Sequence, residues 1–316
     1  MAYIPGTNGA DTLIGTAGPD SILGGGGNDL VRGEGSFDTI DGGFDNDFLM
    51  GNGGDDLVYG GPGSDTMFGG DNIDFFGTGN DTLIGGDGND DGYGGDGGDL
   101  LVGDFGDDAL NGNTGADIVY GGPGADFVRG GQDNDIVFGD DGDDWHVNGN
   151  IGDDLVYGGF GNDTMFGGQG RDDVYGEQGD DAIRGDLGDD NLYGGSGRDY
   201  LFGGAGFDLL NGGDGADTLD GGSGADTLYG GFGPDDFVVL SASGYDEITD
   251  FVFEDADRVV MERNVNGSGI FDFFDLMDRA YNDWSGGTGF DLGGGNTLVI
   301  RNQSIDEFRQ QDFLFV

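Results

Sequence analysis

The chain has 316 residues, 64 of them acidic, with ten arginines and no lysine, no cysteine and 77 glycines, for a formal net charge of −54. So acidic a surface excludes nucleic acid and anionic membrane as partners, and self-repulsion opposes any compact state that carries the charge alone. The missing cysteines exclude a disulfide framework and a thiolate metal site, and no run of about 18 apolar residues offers a span for membrane insertion.

Residues 1–5 are a lead-in. The opening MAYIPGTNGADTL has neither a basic region nor an apolar run, so it does not read as a signal peptide. High charge with much glycine usually reads as disorder. Here aromatics make up 12% of the chain and the apolar residues recur regularly. That combination predicts a chain that folds once its charge is neutralised, with a cation as the partner.

From Gly6 to Val238 the chain reads as 26 units in a nine-residue frame. Each opens with Gly and carries Asp at the sixth place, and 24 carry an apolar residue at the eighth, the exceptions being Gly92 and His146. Two slips in length occur: the units over 69–84 are together two residues short, and Asn148 is one residue extra. Six Gly-rich residues ending in Asp make a turn, and the next three make a short strand whose middle residue points inward. The fourth place is Gly in 22 units and Ser36, Asp45, Asn72 or Asp133 in the others, which predicts a left-handed backbone there. One unit buries a single side chain, too little to offset its ordering entropy. Units must therefore stack, two per coil, into an all-β repeat of about 13 coils with two facing parallel sheets.

In such a stack the sixth-place Asp of unit n lies beside that of unit n+2. The series begins Asp11, Asp20, Asp29, Asp38, Asp47, Asp56, Asp65, Asp74 and Asp81. It continues through Asp90, Asp99, Asp108, Asp117, Asp126, Asp135, Asp144, Asp154 and Asp163, and ends with Asp172, Asp181, Asp190, Asp199, Asp208, Asp217, Asp226 and Asp235. Carboxylates one strand spacing apart repel unless a cation lies between them. Carboxylate and turn-carbonyl oxygens suit Ca²⁺, a hard cation with a flexible shell of oxygen ligands. About two dozen such gaps would take up about two dozen Ca²⁺, roughly +48 against the chain's own charge.

Tandem GGxGxDxUx, with U apolar, is seen in units such as GGFGNDTMF, GGQGRDDVY, GGSGADTLY and GGDGADTLD. Over 6–238 the chain thereby resembles the RTX, or haemolysin-type, calcium-binding repeat proteins. The resemblance implies a right-handed parallel β-roll. It also implies Ca²⁺ held by the sixth-place carboxylates, with carbonyls from turns n and n+2 completing each site.

Residues 239–316 lose the period and read as a small α+β cap. Ile270, Phe273, Phe274, Met277, Tyr281 and Trp284 fall at helical spacing, TLVIRN reads as a strand, and Ser304 with Glu307 forms a capping box. YDEITDFVFEDADRVVM and NTLVIRNQSIDEFRQQDFLFV are similar to the C-terminal region of secreted RTX proteases. That likeness implies an uncleaved signal for a bacterial type I secretion apparatus, ending in Asp312, Phe313, Leu314, Phe315 and Val316. It further implies a chain unfolded in a low-calcium cytosol and folded by calcium outside, in the medium or on the cell surface.

No chemistry emerges: HExxH, G-x-S-x-G and any lysine for a phosphate loop are missing, and the lone His146 reads as an irregular inward position. Tyr120, Phe138, Tyr157, Tyr175 and Tyr193, at the outward ninth place of alternate units, form a ladder. It reads as coil-to-coil stacking, or as a platform for a cell-surface polysaccharide or for copies of the protein itself. The expectation is a secreted, non-catalytic, calcium-binding repeat protein with a structural or surface-assembly role; the alternative is an extracellular polysaccharide-binding module.

Overall fold

The computed structural model describes residues 1–70, 79–240, 244–263, 265–283 and 286–316, which form two compact units, Met1–Thr164 and Met165–Val316. Asp74, Asn72 and Trp284 lie outside the described residues.

In each unit successive strands alternate between two sheets, and each pairs in parallel with the strand one coil on, which makes a β-roll. In the first unit one sheet contains Asp20–Gly26, Thr39–Phe44, Leu57–Pro62, Thr82–Asp87, Leu100–Phe105, Ile118–Pro123, Ile136–Asp141 and Leu155–Phe160. The facing sheet contains Leu30–Gly35, Phe48–Gly53, Thr66–Phe68, Asp91–Asp96, Ala109–Thr114, Phe127–Gln132 and His146–Ile151. Most strands are six residues long, twice the three expected, because the backbone of the following Gly-Gly-X joins the ladder. The alternation is strict: in Leu57–Pro62, Val58 is fully buried while Leu57 and Tyr59 face outward. Eighth-place residues such as Val31, Ile40, Leu49, Val58 and Met67 line the narrow core.

The fourth-place substitutes take the left-handed backbone expected of them, with φ of 90° at Ser36 and 75° at Asp45 and Asp133. The second place needs it as well: Glu34, Asn52 and Asp104 have φ of 83°, 75° and 68°.

Both slips in length sit differently from the nine-residue frame. Leu57–Pro62 pairs directly with Thr82–Asp87, and Thr66–Phe68 with Asp91–Asp96. The n to n+2 rule is therefore broken for two successive pairs, which are n to n+3 in the 26-unit count. At the other slip, Val128 pairs with Val147 and Phe127 with His146. The extra residue is thus Trp145, which is 60% exposed, and not Asn148. Val147 occupies the inward place and is fully buried, and His146 faces outward, stacked on Phe127 at 4.5 Å. The inward reading of His146 is corrected accordingly. Gly92, the other exception, does face inward; Leu110 fills its place, with Cδ2 2.8 Å from where a Cβ would stand.

In the second unit the roll continues past Val238. Tyr245–Ile248 pairs with Thr227–Phe232, and Arg258–Met261 with Asp236–Val239. The cap then adds Asn296–Ile300 to the first of these sheets and Phe313–Phe315 to the second. Antiparallel strands Thr288–Gly293 and Ala280–Asn282 follow Asn296–Ile300. The expected helix is only Phe273–Met277, capped by the Asp272 side chain; Leu276 is its buried residue, Phe274 is exposed, and Tyr281 lies in a strand. Glu307 does bond back to the Ser304 amide at 2.8 Å, over a 3-10 turn.

Candidate metal centre: a ladder of buried aspartates

Each turn delivers its sixth-place Asp to the same spot, because the strand that follows is pinned by the core. One carboxylate oxygen has a fixed task. Oδ1 of each Asp accepts from the backbone N–H of the Asp one coil earlier: Asp38 from Asp20 at 2.7 Å, Asp126 from Asp108 at 2.8 Å, and Asp208 from Asp190 at 2.9 Å. The ladder crosses the irregular coil directly, Asp56 to Asp81 at 2.7 Å and Asp65 to Asp90 at 2.6 Å.

The other oxygen has no such task. Oδ2 of Asp29 through Asp144 in the first unit, and of Asp190 through Asp235 in the second, is buried with no hydrogen-bond partner among the described rungs. A buried carboxylate oxygen left this way costs several kcal/mol unless it is neutralised. It lies against the opening Gly of its own unit and a carbonyl of the next coil. A Cβ on Gly33 would fall 2.5 Å from Asp38 Oδ2 and 2.7 Å from the Gly51 carbonyl oxygen; on Gly121, 2.6 Å from Asp126 Oδ2 and 2.7 Å from Gly139 O. Only glycine leaves room for those oxygens. Burial, reinforced by neighbouring carboxylates at most rungs, pushes the carboxyls up: to about 6 at Asp65, about 7 at Asp117, and about 8 at Asp81, Asp126, Asp135 and Asp226.

The first two rungs are different. Asp11 Oδ2 accepts from Thr7 N and Oγ1 at 2.6 and 2.8 Å, and Asp20 Oδ2 accepts from Thr16 Oγ1 at 2.9 Å. Threonine at the second place satisfies them, and hydrogen bonds, first that from the Ala2 amide, hold the Asp20 carboxyl below its usual range.

Two rungs escaped the sequence reading. Asp246 and Asp257, both buried, take the ladder position for Asp226 and Asp235 at 3.3 and 3.0 Å. Their signal was present as D-x-apolar in DEI and DRV; Asp246 keeps the fourth-place glycine, Gly244 (φ 108°), without the opening Gly-Gly, and Asp257 has neither. An exposed ladder at the fifth place was missed as well. There the side chain reaches forward, as in Asp107 N to Asn89 Oδ1 at 3.1 Å and Asn162 N to Asp143 Oδ1 at 2.8 Å.

The donor set fits a hard cation: oxygens only, one carboxylate and turn carbonyls per coil. Among the described residues no three carboxylate or imidazole side chains converge on one point, so a cation here depends on carbonyls as much as on aspartates. When bound, Ca²⁺ supplies the positive charge these oxygens lack; the turns supply the fixed oxygens.

The other expected residues are also placed. Tyr120, Phe138 and Tyr157 stack at 4.6 and 4.9 Å with rings 4° from parallel, and Tyr175 stacks on Tyr193 at 4.7 Å. Neighbouring rings cover both faces of Phe138, so the ladder presents ring edges rather than faces on which a sugar could stack. Asp312 is buried and accepts from the Arg309 amide, Phe313–Phe315 is a sheet strand with Leu314 half exposed, and Val316 bonds to Met261 O at 3.0 Å.

A parallel roll with one buried acid per turn defines a repeat protein whose turns bind cations. The profile of the RTX calcium-binding nonapeptide repeat (four copies) matches residues 5–40, 41–76, 77–101, 93–128, 111–145, 146–174, 175–210 and 202–237. The chain belongs to that family. No curated protein matches it as a relative. Among solved structures it is similar to the extracellular lipase LipA from Serratia marcescens, at 16% identity and a TM-score of 0.34, over 86% of this chain and 40% of that one. The chain thus spans less than half the length of the lipase. No helix of the described residues is long and apolar enough to cross a membrane.

Proposed function

We propose that this calcium-binding repeat protein is exported unfolded by a type I apparatus, folds on Ca²⁺ outside the cell, and serves there as a non-catalytic structural element. The row of buried, partnerless Oδ2 atoms carries this reading, because it makes the folded state costly without a cation and favourable with one. Extracellular calcium modules bind at about 10⁻⁴ to 10⁻³ M, which keeps such a chain open in a low-calcium cytosol. About two dozen ions would bring the charge close to neutral. The C-terminal strand Phe313–Phe315 supports the export reading in one respect: it is tied into a sheet in the folded chain, so an exporter would have to read it before folding. Sedimentation velocity in chelator and then in millimolar Ca²⁺ tests the proposal. Compaction on calcium, reversed by chelator, is the expected result; an unchanged sedimentation coefficient overturns it.

A further inference from the structure

The first unit carries an outer face unlike the rest of this acidic chain. On the sheet from Leu57–Pro62 to Leu155–Phe160, the outward seventh places are Leu57, Thr82, Leu100, Ile118, Ile136 and Leu155. The outward ninth places of the same strands are Tyr59, Ile84, Val102, Tyr120, Phe138 and Tyr157. These twelve positions carry no charge in a chain of net charge −54; the outward second places beside them are glycine on four strands and acidic on two, at Asp104 and Asp140. Contiguous apolar surface of this kind marks an interface.

A ridge borders this face at the end of each strand, and its sequence has a period of its own. One coil after another, the residues are Phe44, Pro62, Asp87, Phe105, Pro123, Asp141 and Phe160, all exposed, with Pro62 to Phe105 and Pro123 to Phe160 paired in register along the ladder. The pattern Phe-Pro-Asp repeats every three coils, about 14 Å. Phe44, Phe105 and Phe160 are 66%, 63% and 56% exposed.

We propose that this face binds a second copy of the chain, antiparallel, about a twofold axis through the coil of Phe105. The ridge itself selects that register. Read backwards it runs Phe-Asp-Pro-Phe-Asp-Pro-Phe, so antiparallel pairing about Phe105 sets Phe against Phe three times and each Asp against a Pro. Parallel pairing in register, ridge against ridge, would set Asp41, Asp87, Asp104, Asp140 and Asp141 each against itself, five like-charge contacts without compensation, whereas the antiparallel axis leaves one, Asp104 against Asp104. The same axis pairs Leu100 with Leu100 and Val102 with Val102, Ile84 with Tyr120, and the single acid at the margin, Asp41, with Tyr157. A cavity of about 380 Å³ lined by Val102, Tyr120 and Pro123 and by the acids Asp104, Asp140 and Asp141 gives the face relief beside the axis. Seven strands at about 4.8 Å, each about 20 Å across, offer roughly 600–700 Å² in projection. A standard interface needs about 800 Å² of accessible surface per partner, and accessible surface exceeds projection. The covered ring faces of the aromatic ladder fit this role, since edges and aliphatic side chains pack against a like surface.

This pairing rests on the calcium-folding reading, because two copies at full negative charge repel. The test uses the full chain in millimolar Ca²⁺, by sedimentation equilibrium. A dimer is expected, weakened about 100-fold in Phe105→Asp, where two central side chains are lost. Phe232→Asp, at a still more exposed site in the second unit, leaves association unchanged. The chain has no cysteine, so single nitroxides at Asp87→Cys and Asp41→Cys report the register. Antiparallel pairing places the Asp87 labels two coils apart and the Asp41 labels six coils, about 29 Å, apart along the stack of coils. Equal distances at the two sites, or a Phe105→Asp chain that associates as the parent does, overturns the pairing. A chain that compacts on calcium but stays monomeric also overturns it and leaves the calcium reading standing; a chain that does not compact overturns both.

Discussion

At a single rung the two oxygens of one aspartate do opposite things. Asp126 Oδ1 accepts from the Asp108 amide, while its Oδ2 is buried without a partner and the carboxyl is pushed up to about 8. Asn in its place keeps the accepting oxygen and replaces the charged one with an NH₂ that can donate to the nearby Gly139 carbonyl. Asp126→Asn is therefore expected to stabilise the chain in chelator and destabilise it in calcium, by about 1–3 kcal/mol each way. Urea unfolding under the two conditions checks this, and a change of the same sign in both would remove the cation from the argument. The glycine beside the oxygen makes a second test. Gly121→Ala drives a Cβ against Asp126 Oδ2 and Gly139 O, whereas nothing lies within 4 Å of a Cβ on Gly18. The first substitution should lower the calcium-loaded stability by about 1–3 kcal/mol, and Gly18→Ala should stay within about 0.5 kcal/mol.

At the scale of the coil, the ladder persists where the repeat pattern has dissolved. Asp257 accepts from the Asp235 amide at 3.0 Å through one oxygen and from the Val252 amide at 2.7 Å through the other, so it fastens the last coil of the roll to the cap. Asp257→Ala leaves the buried Asp235 amide and the half-buried Val252 amide unpaired and should cost about 2–4 kcal/mol. Hydrogen exchange should then quicken at Asp235 and Val252 and hold elsewhere in the roll; uniform quickening would mean that the cap and roll unfold as one. Asp257 also shows where the sequence was legible. The alternation of buried and exposed residues, the inward eighth place and the aspartate series follow from a strict period, so they could be read directly. Register at a slip could not be. Shifting the extra residue from Asn148 to Trp145 exchanges His146 for Val147 in the core, and only the burial of a valine over a histidine decides it. The cap hid its rungs because the opening Gly-Gly is missing before both: Asp246 keeps only the fourth-place Gly244, bridged to Gly224, and Asp257 keeps no turn glycine.

For the whole chain, calcium and protons should be interchangeable. Without a cation, burial raises the ladder carboxyls to about 6 at Asp99 and Asp108, about 7 at Asp56 and Asp144, and about 8 at Asp81 and Asp226. An unfolded Asp titrates near 3.9. The folded chain thus binds more protons than the unfolded one between those limits, and its stability falls as pH rises. The contribution is complete below about pH 4 and is lost as pH climbs through roughly 6 to 8. In chelator, β-structure measured by circular dichroism should therefore appear on acidification from about pH 8 to about pH 5, still above the pI of about 4.1. Over the same range protons and calcium compete for one oxygen, so the calcium midpoint should move to higher concentration as pH falls. Monovalent salt separates this from simple screening: it weakens repulsion between exposed acids but reaches buried charges poorly. Half-molar potassium chloride at pH 8 should restore little of the structure, which is the outcome to weigh against acid, because full recovery in salt alone would place the cost of folding on the surface and not in the ladder.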